Sequence, residues 1–274
     1  MKKIILGASG MLGHMIFYYF KKNQNDVIAY SRSNTGIDFL DTSLIKIPEY
    51  SKKYISDLIQ THRPCNIINC VGITKFNGNL KEGRIINSEL PLFLSHVLDS
   101  QNDGSKLIQI STNGVFSGKR GDYIETDIPD TTDHYGKSKL KGEVIHFPHL
   151  TIRASVIGPE TRSKKGLLEW FLNQNNDVPG HTEEKWNGVT TLEYAKFIEW
   201  TVNHELTGLA HLFSKKISKN ELLNIIKEVY KKKIAINSDN TIKSDKTLNT
   251  IRSDIKYKVA SHFNMLVELK NITF

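Results

Sequence analysis

Lys3-Ile4-Ile5-Leu6-Gly7-Ala8-Ser9-Gly10-Met11-Leu12-Gly13 is the stretch that decides the fold. An apolar run ends in three glycines at G-x-x-G-x-x-G spacing, and Leu12, Met15, Ile16 and Tyr19 follow at helical period. A buried strand therefore feeds directly into an amphipathic helix. Glycines at such a junction let the backbone approach a pyrophosphate, whose charge meets the free N–H groups of the helix terminus. The third glycine lets helix and strand pack closely. Gly7, Ser9, Gly10, Met11, Leu12 and Gly13 are the candidate pyrophosphate-binding residues.

The same alternation continues along the chain. Short apolar runs at Lys3 to Gly7, Asp26 to Tyr30, Asn66 to Val71, Lys106 to Ser111 and Leu150 to Arg153 read as buried parallel strands. Helix-period segments separate them, around Tyr54 to Ile59, Leu90 to Leu98 and Tyr135 to Ile145. This predicts an α/β fold, a Rossmann-type doubly wound parallel sheet, over residues 1–155. After Arg153 the rhythm loosens into helices at Gly166 to Leu172, Thr190 to Asn203 and Ser218 to Tyr230, with a polar loop from Asn173 to Asn187. Residues 156–274 are expected to form a smaller, mostly helical substrate-binding lobe, with some segments open to a return into the main sheet.

Composition narrows the classes. The chain has 274 residues, 39% hydrophobic and 24% charged, which is ordinary globular usage. Its apolar runs are far shorter than the ~20 residues of a membrane span. The basic, apolar opening resembles a leader, but Gly7, Ser9, Gly10, Gly13 and His14 interrupt it, so the expectation is a mature cytoplasmic protein. The net charge is +8, and Lys215 to Phe274 holds 13 basic and 6 acidic residues. Lys231-Lys232-Lys233 follows an amphipathic helix, where the helix dipole favours cations, and nucleic-acid binding is not expected. Cys65 and Cys70 lack a C-x-x-C spacing and read as reduced packing residues; His146 and His149 have no carboxylate near them in sequence. No metal site is expected.

A second test of the glycine turn falls at the end of the second strand, where an acidic side chain would bind the ribose hydroxyls of NAD. Here the chain reads Ser31-Arg32-Ser33. A guanidinium between two hydroxyls suits the 2′-phosphate of NADPH. NADPH is the expected cofactor, with NADH still open.

Tyr135 and Lys139 are four apart, hence on one face of a helix. A nearby ammonium is expected to lower the tyrosine pKa and make the phenol a usable proton donor. Thr112, in Ser111-Thr112-Asn113-Gly114, lies at the carboxyl end of a strand, where a hydroxyl can bond an oxygen that gains charge.

With these residues assembled, the chain resembles the extended short-chain dehydrogenase/reductase family, and within it the nucleotide-sugar 4-ketoreductases of the dTDP-4-dehydrorhamnose reductase group. The likeness rests on Gly7 to Gly13, Asp38-Phe39, Asn69 to Gly72, Asn87 to Pro91, Ser111 to Phe116, Glu125-Thr126-Asp127 and Tyr135 to Lys139. It implies that Tyr135 is the acid, that Lys139 holds the nicotinamide ribose, and that Thr112 orients the ketone. It further implies that Asp38 and Phe39 contact adenine, and that Cys70, Val71, Gly72 and Asn87 flank the nicotinamide ribose. Thr74, Asn113 and Trp186 are the expected substrate contacts, and Lys164, Lys165, Lys185 and Arg252 the candidates for a sugar nucleotide's diphosphate. Asn113 stands where the rhamnose enzyme has Asp. Because neither Asn113 nor Gly114 transfers protons, dehydration is disfavoured and simple ketone reduction remains. A UDP-linked N-acetylated sugar substrate and a non-catalytic regulatory subunit of the same fold stay open, as does a homodimer.

Overall fold

Seven parallel strands make the central sheet: β1 (Lys2–Leu6), β2 (Val27–Ser31), β3 (Leu44–Lys46), β4 (Cys65–Asn69), β5 (Lys106–Ile110), β6 (Leu150–Arg153) and β7 (Gly208–His211). The computed structural model describes residues 1–74, 76, 79–161 and 166–273. Strand order is β7-β6-β5-β4-β1-β2-β3, so the winding reverses between β1 and β4. A crevice opens at the carboxyl ends of the strands at such a reversal.

The strands are apolar throughout because both sheet faces are covered. Ile5, Ile68 and Ile108 point to one face, packed with α1 (Met11–Lys22) and α6 (Thr191–Asn203). Ile4, Leu6, Ile67 and Leu107 point to the other, under α2 (Lys52–His62) and α3 (Leu90–Gln101). Truncating any one of these to alanine should cost about 2–5 kcal/mol. The remaining helices are α4 (His134–Lys141), α5 (Leu167–Leu172), α7 (Lys219–Tyr230) and α8 (His262–Lys270). A helical turn Leu80–Arg84 and a π-helical turn Ile85–Glu89 lead into α3. No described helix is long and apolar enough to cross a membrane.

Helix starts follow their capping chemistry. Ser218 opens α7 with a capping box: its hydroxyl accepts the Glu221 amide at 3.1 Å, and the Glu221 carboxylate accepts the Ser218 amide at 2.6 Å. Thr190 and Ser261 cap α6 and α8. In contrast, α1 starts at Gly10 with no side-chain cap and no acidic residue in its first turn.

After Arg153 the chain contributes both to the sheet and to a lobe. Strand β7 pairs with β6 in register Gly208↔Leu150, and α6 packs on α1. The lobe holds three small sheets. Val156–Ile157 pairs with Val189–Thr190, Val178–His181 with Ile236–Asp239, and Glu184–Trp186 with both Ile217–Ser218 and Ser244–Asp245. The segment Asn173 to Asn187, expected as a loop, thus carries two strands. Their partners are remote in sequence, so local periodicity has no trace of the pairing. The short edge strand β3 was likewise unexpected, having only three residues.

Candidate active site

The glycine turn is tightly closed. Gly7 has φ of +80°, and its amide and that of Ala8 both bond the Tyr30 carbonyl, at 2.9 and 3.1 Å. A Cβ at Gly13 would sit 2.2 Å from the Gly7 carbonyl oxygen, so only glycine lets α1 approach the turn this closely. At Gly10, by comparison, a Cβ would meet nothing nearer than 3.4 Å. Met11 and Leu12 supply the first amides of the uncapped helix end. A helix start of this form, lacking a side-chain acceptor of its own, fits a dinucleotide pyrophosphate.

At the end of β2, the buried Ser31 hydroxyl is committed to Ser9, at 2.6 Å, and accepts the Ser33 amide at 3.3 Å. It braces the glycine turn and does not project into solvent as a phosphate ligand would. Arg32 is exposed, forms no ion pair among the described residues, and lies 5.7 Å from the ring centre of Tyr50. Tyr50 is a contact the sequence reading missed. Its hydroxyl lies at the Gly7 backbone, and burial pushes it up to about 12, with the Arg32 charge pulling the other way. A tyrosine after a three-residue strand carried no signal of its own. Phe39 does not join this crevice: its ring lies over Lys21 at 4.3 Å and edge-on to Tyr18 at 6.2 Å. Those residues stand about 10–15 Å along α1 from the turn. The helical turn Asp38–Asp41 packs there because Asp41 accepts the Thr35 and Gly36 amides, at 2.7 and 3.1 Å.

The sheet edge brings Thr112, Tyr135 and Lys139 together. Thr112 starts a 3-10 turn, Asn113–Val115, and its hydroxyl accepts the Gly114 amide at 3.0 Å. Asp133 caps α4 by accepting the Gly136 amide at 2.6 Å. Thr112 Oγ1 and Tyr135 Cε1 lie 3.2 and 3.7 Å from where a Cβ on Gly114 would stand, so the two side chains flank the same point. Lys139 is buried, and its ammonium donates to the Ile110 carbonyl at 2.6 Å. Burial lowers Lys139 to about 8, with Glu143 acting to raise it. The Tyr135 phenol departs from expectation. Burial pushes it up, Thr112 pulls it down and Asp133 adds to the rise, while Lys139 is directed at Ile110 instead. A raised phenol stays protonated at neutral pH, the state an acid requires.

A wall from β4 closes the other side. Cys70, Val71 and Gly72 follow the strand, and a Cβ on Gly72 would lie 3.6 Å from Asn87 Oδ1 and 4.0 Å from Lys139 Nζ. Burial pushes the Cys70 thiol up to about 12. Asn87, in the π-turn, accepts the Ile73 amide at 2.9 Å and donates to the Ile73 carbonyl and the Ser138 hydroxyl, at 2.8 and 2.9 Å. It holds the loop and α4 together, and Thr74 is exposed just beyond it.

On the substrate side, several of the expected residues have protein partners. Trp186 is 4% exposed and donates through Nε1 to Ser155 at 2.8 Å, so it is a packing residue of the lobe. Asn113 donates to the Lys246 carbonyl at 3.0 Å, tying the 3-10 turn to the lobe. Arg252 is consumed by the Thr207 and Leu209 carbonyls, at 3.0 and 2.9 Å, and by Asp254. Lys185 donates to the Thr182 carbonyl at 2.7 Å. Lys164 and Lys165 lie outside the described residues. The lobe reaches the glycine turn through the Thr161 hydroxyl, 3.0 Å from the Ser9 carbonyl.

On the opposite edge of the sheet, folding brings a carboxylate to the two histidines that had none in sequence. Asp99 meets His146 Nε2 and His149 Nε2, each at 3.0 Å. The Leu107 amide donates to His149 Nδ1 at 3.0 Å, so the His149 proton resides on Nε2 and points at Asp99. A metal at Nε2 would require that proton to move onto Nδ1, against the Leu107 N–H. The cluster is a hydrogen-bonded clasp between α3 and the start of β6.

Fold and site together define a protein of the extended short-chain dehydrogenase/reductase class. Residues 1–170 match the family described as RmlD substrate binding domain, and the chain belongs to that family. It is 29% identical over 140 residues to methionine adenosyltransferase 2 subunit beta of Danio rerio, a match covering 51% of this chain and 42% of that protein. It is 27% identical over 198 residues to a probable low-salt glycan biosynthesis reductase of Haloferax volcanii, covering 67% of this chain and 65% of the relative. The first-matching curated relatives are thus spanned over less than half of their length. The crystal structure of dTDP-4-dehydrorhamnose reductase from Bacillus anthracis in complex with NADP superposes with a TM-score of 0.80 at 20% identity, covering 98% of this chain and 99% of that one. At that identity the likeness speaks for the fold.

Proposed function

We propose that the chain is an NADPH-dependent reductase of the 4-keto group of a nucleoside diphosphate 4-keto-6-deoxy sugar, acting in the cytoplasm on a precursor of a surface polysaccharide. The observation that carries this reading is the placement of Thr112, Tyr135 and Lys139 at one sheet edge, the Lys139 ammonium resting on the Ile110 carbonyl two residues before Thr112, and Tyr135 one helical turn before Lys139, at the same edge as the glycine turn. The amides of Gly10 to Leu12 would hold the pyrophosphate, Arg32 the 2′-phosphate, and Lys139 the nicotinamide ribose. When bound, NADPH supplies the hydride. Tyr135 then gives its phenolic proton to the ketone oxygen, a contribution of typically 10²–10⁴-fold. Thr112 donates a hydrogen bond to the same oxygen and fixes the carbonyl against Tyr135. Asn113 and Gly114, beside them, offer no acid or base, which keeps the chemistry to reduction.

Purified protein should oxidise NADPH, followed by absorbance, only when a 4-keto sugar nucleotide is added, and a panel of dTDP-, UDP- and GDP-linked substrates would identify the base. Oxidation with none of them would refute the reading. The match to the methionine adenosyltransferase subunit favours a second reading, a regulatory partner of the same fold. Against it stands the intact Thr112, Tyr135 and Lys139 set.

A further inference from the structure

A buried ion pair lies directly behind the lysine. Arg153, on β6, grips Glu143 in a fork, with Nε and the terminal nitrogen at 2.8 and 2.7 Å from the two carboxylate oxygens. Both side chains are nearly shut off from solvent, 4% and 6% exposed. The same Glu143 oxygen that takes Arg153 Nε also accepts the Ser111 hydroxyl at 2.6 Å. Ser111 is the residue between Ile110, whose carbonyl holds the Lys139 ammonium, and Thr112. Two buried charges and a hydroxyl are therefore gathered under the strand end that presents the reacting groups.

We propose that Glu143 is a positioning residue for the Tyr135–Lys139 pair: clamped by Arg153, its carboxylate stands as the anion on the Lys139 side and, through the Ser111 hydroxyl, pins the Ile110 to Thr112 strand end on which that ammonium rests. The inference deepens the reductase reading and rests on it for its catalytic meaning. Placement supports it. Glu143 follows the Gly142 C-cap of α4, and its bonds to Ser111 and to Arg153 on β6 hold it at the ends of β5 and β6. An ammonium buried this deeply favours its neutral form unless an anion stands nearby. The groups interacting with Lys139 are Glu143 and the Cys70 thiol from the end of β4. Tyr194, from α6, interacts with Cys70 and Tyr135, and Asp133 with Tyr135. Arg153 occupies the far side of Glu143, where Phe116 covers its guanidinium at 5.2 Å and His211 approaches at 3.5 Å. The Cys70 thiol is held neutral by burial, which leaves Glu143 as the counter-ion.

The test reads the charge of Lys139 directly. In cofactor-free protein carrying 13C-labelled lysine, the Lys139 ε-carbon signal, assigned by its absence in Lys139→Met, is titrated by NMR. Glu143→Gln should lower the midpoint by about 1–3 pH units, and Glu143→Asp, which keeps the charge, should restore most of it. Because Glu143→Gln strands the buried Arg153 charge without its carboxylate, Glu143→Gln/Arg153→Met serves as the second variant, removing both charges, and should also titrate below the natural protein. An unchanged midpoint in either folded variant overturns the proposal. In the reductase assay the alkaline limb of the pH–turnover profile should move down by the same amount, whereas a purely structural role would reduce turnover without moving the limb. Should the natural chain reduce no sugar nucleotide, the functional reading fails while the NMR titration still decides the role of Glu143.

Discussion

Gly136 and Gly114 face each other so closely that a Cβ on Gly136 would lie 2.2 Å from the Gly114 carbonyl oxygen. Contact between these two backbones sets Tyr135 beside Thr112, since Gly136 follows the tyrosine and the Gly114 amide donates to the threonine hydroxyl. Overpacking at such a contact typically costs 1–3 kcal/mol. Gly136→Ala should therefore lower the denaturation midpoint and reduce turnover by more than its loss of folded protein accounts for. A variant with undiminished specific activity would show that the contact does not set the tyrosine.

Tyr135→Phe removes the proton and leaves the ring. Turnover should fall by about 10²–10⁴-fold while NADPH binding, measured by fluorescence titration, is kept. Equal turnover would mean that another group supplies the proton.

Arg32, exposed and free of a carboxylate partner among the described residues, is the residue assigned to the 2′-phosphate. Arg32→Ala should lower the NADPH/NADH ratio of kcat/KM by at least tenfold, as expected for a lost charge-assisted forked contact. An unaltered ratio would place phosphate recognition elsewhere. Tyr50→Ala should weaken the same preference if the ring holds the guanidinium in place.

Lys139 illustrates a conflict between stability and function. Burial lowers Lys139 to about 8 in the folded chain, against 10.5 for an unperturbed lysine. Between those values the unfolded chain binds more protons, so stability due to this group rises with pH; below pH 8 the full cost, on the order of 3 kcal/mol, is present. Lys139→Met should be more stable than the natural protein at pH 7, by chemical denaturation, with the difference shrinking as pH passes from 8 to 10.5. It should also lose turnover. A gap that does not narrow with pH would rule out the charged-lysine account.

Much of this protein was legible before folding was considered. Buried parallel strands must be apolar on both faces, so β1, β2, β4, β5 and β6 stood out as continuous runs, and the glycine turn stood out because its spacing is dictated by backbone contact. The i, i+4 relation of Tyr135 to Lys139 is likewise local, since one helix turn suffices to bring them together. Tertiary structure alone decided the rest. Trp186 and Arg252 look like ligand residues until their partners, Ser155 and the Thr207 and Leu209 carbonyls, are seen to consume them. Glu143 matters through Arg153 and Ser111, and Tyr50 through Gly7 and Arg32, pairs joined only by the winding of the sheet. Periodicity reports which face of an element is buried; what a polar side chain meets on the far side of that burial depends on contacts that no local pattern encodes.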